Sequence, residues 1–178
     1  MSEQSTTSLQ ELAKGITAVS RLEGTFVLRS GQTSNHYFDK YRFEGQPSLI
    51  APLAKEMCKL LPSDTEIVAG LELGGVPLAT VISLQTGLPT AFVRKTAKTY
   101  GTCRAIEGQE FAGKKVTFIE DIISTGGAVA DAHGLATEAG ATILGVVCAI
   151  WRGDDTPQVK AVPHLPVYPV FTSDQLEP

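Results

Sequence analysis

Cysteine is scarce: the 178 residues hold three, Cys58, Cys103 and Cys148. They lie far apart and without metal-ligand spacing, which argues against a disulfide framework or a zinc module and suits free thiols in a reducing compartment. Long blocks of one charge are absent too. Lys and Arg number 15 against 19 Asp and Glu, a formal net charge of −4, so a general nucleic-acid-binding surface is not expected and affinity for anions has to come from local clusters. No apolar run reaches membrane-spanning length, and the opening MSEQSTTSLQ has neither a basic n-region nor an apolar h-region. A soluble, cytoplasmic protein with no membrane or nucleic-acid partner is expected. Neither G-x-x-x-x-G-K-[ST] nor G-x-G-x-x-G occurs, which disfavours a P-loop nucleotide-triphosphate hydrolase and a Rossmann dehydrogenase.

The length favours one domain spanning residues 1–178. SLQELAKGITAVSRL repeats apolar residues at helical intervals, weakened by Gly15, Thr17 and Val19. GTFVLRSGQTSNHYFDK reads as short strands around a polar loop from Ser30 to Asn35, and PSLIAPLAKEMCKLL as a helix beginning near Pro47, with Pro52 tolerated in its first turn. Two βαβ units follow, EIVAGLELGGVPLATVISLQTGLPTAFVRK and KKVTFIEDIISTGGAVADAHGLATEAGATILGVVCAIW. The continuous apolar runs Val116–Ile119 and Ile143–Ile150 suit parallel strands covered on both faces. The expected fold class is α/β, an open parallel sheet flanked by helices, with a core over about residues 45–153. From Asp154 the proline-rich tail reads as a loop leading to a short edge strand.

In open α/β sheets, ligands bind beyond the carboxyl ends of the strands. VTFIEDIISTGG, Val116–Gly127, places two acids, two hydroxyls and two glycines at such an end, where the next helix begins. Unpaired N–H groups and the positive end of the helix dipole favour a phosphate there. The glycines let the backbone approach it, the hydroxyls donate to it, and Glu120 and Asp121 suit ribose hydroxyls or a divalent cation. The same residues also fit a strand followed by a Ser/Thr-capped helix with solvated acids. Tandem acids at a strand end favour the ligand-facing reading, and the whole stretch fits a sugar phosphate.

An apolar strand, an acid pair and STGG resemble the phosphoribosyl-pyrophosphate (PRPP) signature of type I phosphoribosyltransferases. The resemblance implies that Glu120 and Asp121 hold the ribose hydroxyls. It also implies that the loop from Ile122 through Ile123, Ser124, Thr125, Gly126 and Gly127 to Ala128 wraps the 5-phosphate. FVRKTAKTYGTCRAIEG is similar to the catalytic loop of orotate phosphoribosyltransferases, a loop that closes over the site in that family, usually of the neighbouring subunit. Arg94, Lys95 and Lys98 would then serve catalysis and PRPP binding with Tyr100, which stands where many members carry His. FVLRSGQTSNHYFDK resembles the family's N-terminal segment, which implies that Arg29 contacts PRPP and that Tyr37 and Phe38 line the orotate pocket with Ser124. As residues alone, the two aromatics fit ordinary strand packing equally well. AIWRGD places Arg152 where the family's arginine pairs with the orotate carboxylate, a planar anion suited to the guanidinium fork. GLELGGVPLA fits the pyrophosphate loop, with Gly74 where some relatives carry lysine and with Glu72 an unusual neighbour for a diphosphate.

The resemblance further implies a small hood built from residues of about 20–44 and 154–178. It also implies Mg²⁺ bound mainly through PRPP, with Asp121 a candidate protein ligand, and a homodimer whose loop acts across the interface. The implied reaction is transfer of ribose 5-phosphate from PRPP to orotate, giving orotidine 5-phosphate and pyrophosphate in pyrimidine biosynthesis. A purine phosphoribosyltransferase shares the phosphate loop but has no use for a carboxylate-matching Arg152. A PRPP-sensing regulator keeps the loop but needs neither Lys95 and Lys98 nor a net negative charge.

Overall fold

The computed structural model describes residues 8–28, 31–96 and 104–176. Helix α1 (Leu9–Ser20) opens on a reciprocal cap, in which the Glu11 amide donates to Ser8 Oγ at 3.2 Å and the Ser8 amide donates to the Glu11 carboxylate at 2.9 Å. Its glycine has a packing reason. A Cβ on Gly15 would lie 2.9 Å from Leu49 Cδ2, so glycine lets α1 sit close against α3 (Pro47–Cys58). In α3, Pro47 takes the first helical position, where its missing N–H costs nothing. Pro52 falls in the second turn, not in the first as the sequence predicts. The helix continues past the lost backbone bond because Ile50, Leu53, Ala54 and Met57 bury its inner face.

Strands β1 (Arg21–Val27) and β2 (Thr33–Phe38) form a separate antiparallel hairpin with an irregularity between Glu23 and Phe26. A single helical turn, α2 (Tyr41–Glu44), links the hairpin to α3 and buries Phe43. The main sheet has six strands in the order β5-β4-β3-β6-β7-β8: β3 (Ile67–Leu71), β4 (Thr90–Val93), β5 (Ile106–Gly108), β6 (Lys115–Ile123), β7 (Thr142–Trp151) and β8 (Val167–Thr172). It is mixed rather than wholly parallel, because β5 runs antiparallel to β4. That strand is three residues long, too short to show a period. The others pair in parallel, and β3 and β6 are buried along nearly their whole length, as their apolar runs imply. The tail therefore adds β8 to the sheet edge, where Pro169 lacks a donor at little cost. Beyond it, the Leu176 carbonyl accepts from Thr17 Oγ1 at 2.9 Å.

The crossover helix α4 (Gly75–Thr86) joins β3 to β4 toward one edge, and α5 (Gly127–Glu138) joins β6 to β7 toward the other. Right-handed crossovers in opposite directions put the two helices on opposite faces. Leu78, Ala79 and Ile82 of α4 accordingly share a core with Leu12, Ile16, Leu53 and Val147. Val129, Ala132 and Ala136 of α5 pack with Ala69, Phe118, Val146 and Val159 on the other side. The winding reverses between the neighbouring strands β3 and β6, so their carboxyl ends frame the crevice where a ligand sits in such sheets.

Candidate active site

Strand β6 runs past the point where its sequence suggests an end: Ile122 pairs with Ile150 and Ile123 with Trp151. Glu120 and Asp121 thus lie inside the strand and are buried, with Asp121 wholly shielded. Ser124 and Thr125 follow as exposed residues. Gly126 then turns the chain into α5 with φ +75°, and no side chain caps the helix. The Ser/Thr-capped alternative is therefore ruled out. Uncapped first-turn amides beside two exposed hydroxyls at the end of β6 are groups that can donate to an anion. Gly126 is required twice over, since its backbone is left-handed and a Cβ would come within 2.7 Å of both γ-methyls of Val159.

The facing loop leaves β3 through Glu72, Leu73, Gly74 and Gly75, with a cis peptide between Glu72 and Leu73. Glu72 is occupied by the basic segment: its Oε2 accepts from the Lys95 amide at 3.1 Å. Gly74 is bare because Asp121 Oδ2 stands where its Cβ would be. Arg94 is anchored by its amide, which donates to the Ala105 carbonyl at 2.8 Å. Arg94 and Lys95 line a small recess of about 30 Å³ with Glu72, Ala128 and Asp131, so the end of β4 meets the start of α5 there. Lys98, Tyr100 and Arg29 lie outside the described residues.

On the hairpin side, a cleft of about 440 Å³ is lined by Arg21, Ser34, His36, Tyr37, Phe38 and Arg152, among others. The Arg152 amide donates to the Ile123 carbonyl at 2.7 Å, and its guanidinium carbon lies 4.4 Å from the centroid of the Phe38 ring. Tyr37 is half exposed and tilts against Phe26 at 5.5 Å between centroids. The two aromatics thus differ: Phe38 supports the arginine from below, while Tyr37 forms an open wall. Ser124 lies exposed after the end of β6, outside the lining of this cleft.

Two further residues complete the site, and neither was anticipated from the sequence. Lys40 Nζ lies 2.5 Å from Asp121 Oδ2, while Asp121 Oδ1 accepts from the Ile122 amide at 2.5 Å. Glu44, almost fully buried, comes up beside them. Burial, and then the Asp121 charge, push the Glu44 carboxyl up to about 9. Glu120 is likewise raised, by burial and by its hydrogen bond with Asp121. Burial alone would raise Asp121 as well, but hydrogen bonds from Glu120 and Lys40 outweigh it and hold that carboxyl below its ordinary value. Lys40 moves upward in return, because Asp121 offsets the effect of its partial burial. Proton release from Glu44 and Glu120 is thus disfavoured beside an Asp121 carboxylate whose charged form is favoured. The signal for Lys40 and Glu44 was the run FDKYRFE, where charges flank a buried aromatic, Phe43, just after the hairpin.

A family model described as a phosphoribosyl transferase domain matches residues 47–171. The orotate phosphoribosyltransferase of a Nocardioides species is 52% identical over 93% of this chain and 93% of its own length. That of Methanocella arvoryzae is 41% identical over 82% of each. The chain belongs to the orotate phosphoribosyltransferase family. Among solved structures, the Mycobacterium tuberculosis orotate phosphoribosyltransferase with Fe(III) dicitrate superposes with a TM-score of 0.82 at 28% identity, covering 96% of this chain and 99% of the other. The same enzyme in complex with PRPP gives 0.77 at 26% identity, over 94% and 98%. An adenine phosphoribosyltransferase from Rhodothermus marinus shares the fold at a TM-score of 0.65 and 18% identity, covering 90% of this chain and 98% of that one. The fold thus extends to proteins named for another base.

Proposed function

We propose that the chain transfers ribose 5-phosphate from PRPP to orotate, yielding orotidine 5-phosphate and pyrophosphate in pyrimidine biosynthesis. The observation that carries the choice of base is Arg152: a guanidinium on the face of Phe38, in a cleft beside the end of the phosphate-loop strand, suits a flat ring bearing a carboxylate. A ring nitrogen of orotate forms the new bond to the anomeric carbon as the C–O bond to the diphosphate breaks, and the electron pair leaves on pyrophosphate. The sugar gains positive and the leaving group negative character, so catalysis rests on positioning and electrostatic stabilisation.

In this reading the loop Ile122–Ala128, with Ile123, Ser124, Thr125, Gly126 and Gly127, takes the 5-phosphate, while Glu120 and Asp121 take the ribose hydroxyls. Arg94, Lys95 and Lys98 face the pyrophosphate, with Tyr100 and Arg29 as further PRPP contacts. Tyr37, Phe38 and Arg152 surround orotate, with Ser124 reaching it from the end of β6. Magnesium fits as a substrate-borne ion. Among the described residues, no group of three or more His, Cys, Asp or Glu is disposed to hold a metal, and Asp121 already engages Lys40. The diphosphate would therefore supply most of its ligands, with Asp121 the nearest protein carboxylate in role. When bound, the ion supplies charge neutralisation of the diphosphate. We further propose one domain, with the hairpin and the tail as its hood, a homodimer in which the basic loop serves the partner's site, and a cytoplasmic location. Among the described residues, no helix is long and apolar enough to cross a membrane.

The test is a spectrophotometric assay of orotate consumption with PRPP and Mg²⁺, run beside adenine, hypoxanthine, xanthine and uracil. Consumption of orotate alone is expected. Reaction with a purine instead would overturn the role of Arg152, and PRPP binding without any transfer would point to a regulator. Lys98→Ala is expected to lower turnover on the order of a hundredfold, and unchanged turnover would remove the loop assignment.

A further inference from the structure

Lys40 is held in place from both sides. The Asp39 amide donates to the Ser20 carbonyl at 2.8 Å, and the Phe43 amide donates to the Lys40 carbonyl at 3.2 Å, with the Phe43 ring fully buried. From that fixed backbone the side chain crosses from hood to core and meets a carboxylate on β6 that is closed to solvent. Its ammonium faces all three acids, Glu44, Glu120 and Asp121. Without it, Asp121 would sit beside Glu120 and Glu44 stripped of its ion-pair partner, and a buried carboxylate in that state is strongly disfavoured.

Gly74 gives a second, independent sign that the orientation of Asp121 matters. The chain leaves out a Cβ at the point where Asp121 Oδ2 comes to rest. One oxygen is thus tied to the Ile122 amide, and the other lies between Lys40 and the bare face of the β3 loop. A carboxylate so constrained is a fixed support for its neighbour Glu120, which keeps a small exposed area at the end of β6, and a fixed acid pair is what recognition of ribose hydroxyls requires.

We propose that Lys40 is a positioning residue for the transfer reaction, whose ammonium fixes the buried Asp121 carboxylate and, through it, the acid pair at the end of β6 that receives the ribose hydroxyls of PRPP. The proposal deepens the function given above and rests on the assignment of Glu120 and Asp121 to the ribose. Its effect should fall on ligands that carry the sugar and spare ligands that use only the phosphate loop.

The experiment compares calorimetric binding of ribose 5-phosphate and of inorganic phosphate to the full chain, as wild type, Lys40→Met and Lys40→Arg, with steady-state kinetics alongside. Lys40→Met is expected to weaken ribose 5-phosphate by about tenfold or more, the range for losing a charged hydrogen bond, and to leave inorganic phosphate within twofold. In kinetics, kcat/KM for PRPP should fall by at least as much while KM for orotate stays within about threefold. Lys40→Arg should restore most of the loss. Equal ribose 5-phosphate affinity in wild type and Lys40→Met overturns the proposal, as does a parallel loss of inorganic phosphate, which would mark a general structural role. If Lys40→Met does not unfold cooperatively, Lys40→Arg decides: a folded arginine variant with ribose 5-phosphate weakened tenfold or more overturns positioning by charge. If wild type binds inorganic phosphate but gains nothing from the ribose, the assignment of Glu120 and Asp121 fails instead, a result separate from any effect of Lys40.

Discussion

Replacing Gly126 by alanine tests whether the phosphate loop is braced from behind by the tail. Two costs add. A non-glycine residue at φ +75° is disfavoured by about 1–2 kcal/mol. The new methyl also meets both γ-carbons of Val159 at 2.7 Å, and Val159 is fully buried and cannot swing aside, so overpacking adds about 1–3 kcal/mol. The expected loss is roughly 2–5 kcal/mol, equivalent to about 5–15 °C for a chain of this length. Val159→Ala alone should cost on the order of 2 kcal/mol, from two buried methyl groups and the cavity they leave. In the Val159→Ala background, however, Gly126→Ala should cost only the backbone strain. Denaturant unfolding of all four proteins at one protein concentration would give the cycle. A coupling of about 1–3 kcal/mol in favour of the double variant is expected, with kcat/KM for PRPP partly recovering in step. Additivity within about 0.5 kcal/mol would refute the bracing argument.

Gly74→Ala should displace the Asp121 carboxylate that fills its Cβ position and part it from Lys40. About tenfold or more should be lost in kcat/KM for PRPP, and a value unchanged within twofold would refute the contact. Arg152→Met keeps much of the side-chain length but not the charge. It should lower kcat/KM for orotate by about 10- to 100-fold, as for a charged hydrogen bond of about 1.5–3 kcal/mol, while PRPP binding measured by calorimetry stays put. Glu44→Gln probes stability against pH. The folded chain holds a proton on Glu44 up to about 9, whereas the unfolded carboxyl releases it near its ordinary 4.5. The raised value therefore stabilises fully below pH 4.5, and that contribution is lost as pH climbs toward 9. Glutamine removes the dependence, so the variant should match wild type near pH 5 and exceed it by roughly 4 kcal/mol at pH 8, at about 1.4 kcal/mol for each pH unit. Parallel stability curves for the two proteins would show that Glu44 is not held protonated.

The sequence by itself determined the class of fold and the set of acids, hydroxyls and glycines at the end of β6. Apolar runs at Val116–Ile119 and Ile143–Ile150 could only be satisfied by strands covered on both faces. Glycine and hydroxyl residues at a strand-to-helix junction carry their own local physics, because the unpaired amides of a helix start belong to the helix alone. Position along the chain also placed Arg94, Lys95 and Arg152 at strand ends, the first two just after β4 and the third just after β7. Short or irregular pieces were not legible: β5 has three residues, α2 has four, and the second-turn Pro52 of α3 is sustained by packing that no local pattern reports.

Tertiary structure alone decided what meets what. Lys40 and Asp121 stand 81 positions apart, and nothing local links a lysine after a hairpin to an acid inside a buried strand. The same holds for Gly74, whose lack of a side chain has meaning only once the Asp121 carboxylate is seen in that space, and for Val159 behind Gly126. The opposite shifts of three neighbouring acids were likewise beyond sequence, because they depend on desolvation and on where one ammonium comes to rest. Periodicity and turn chemistry act over a few residues and can be read along the chain. Charge pairing and steric exclusion act through space, and only the folded arrangement of sheet and hairpin sets them.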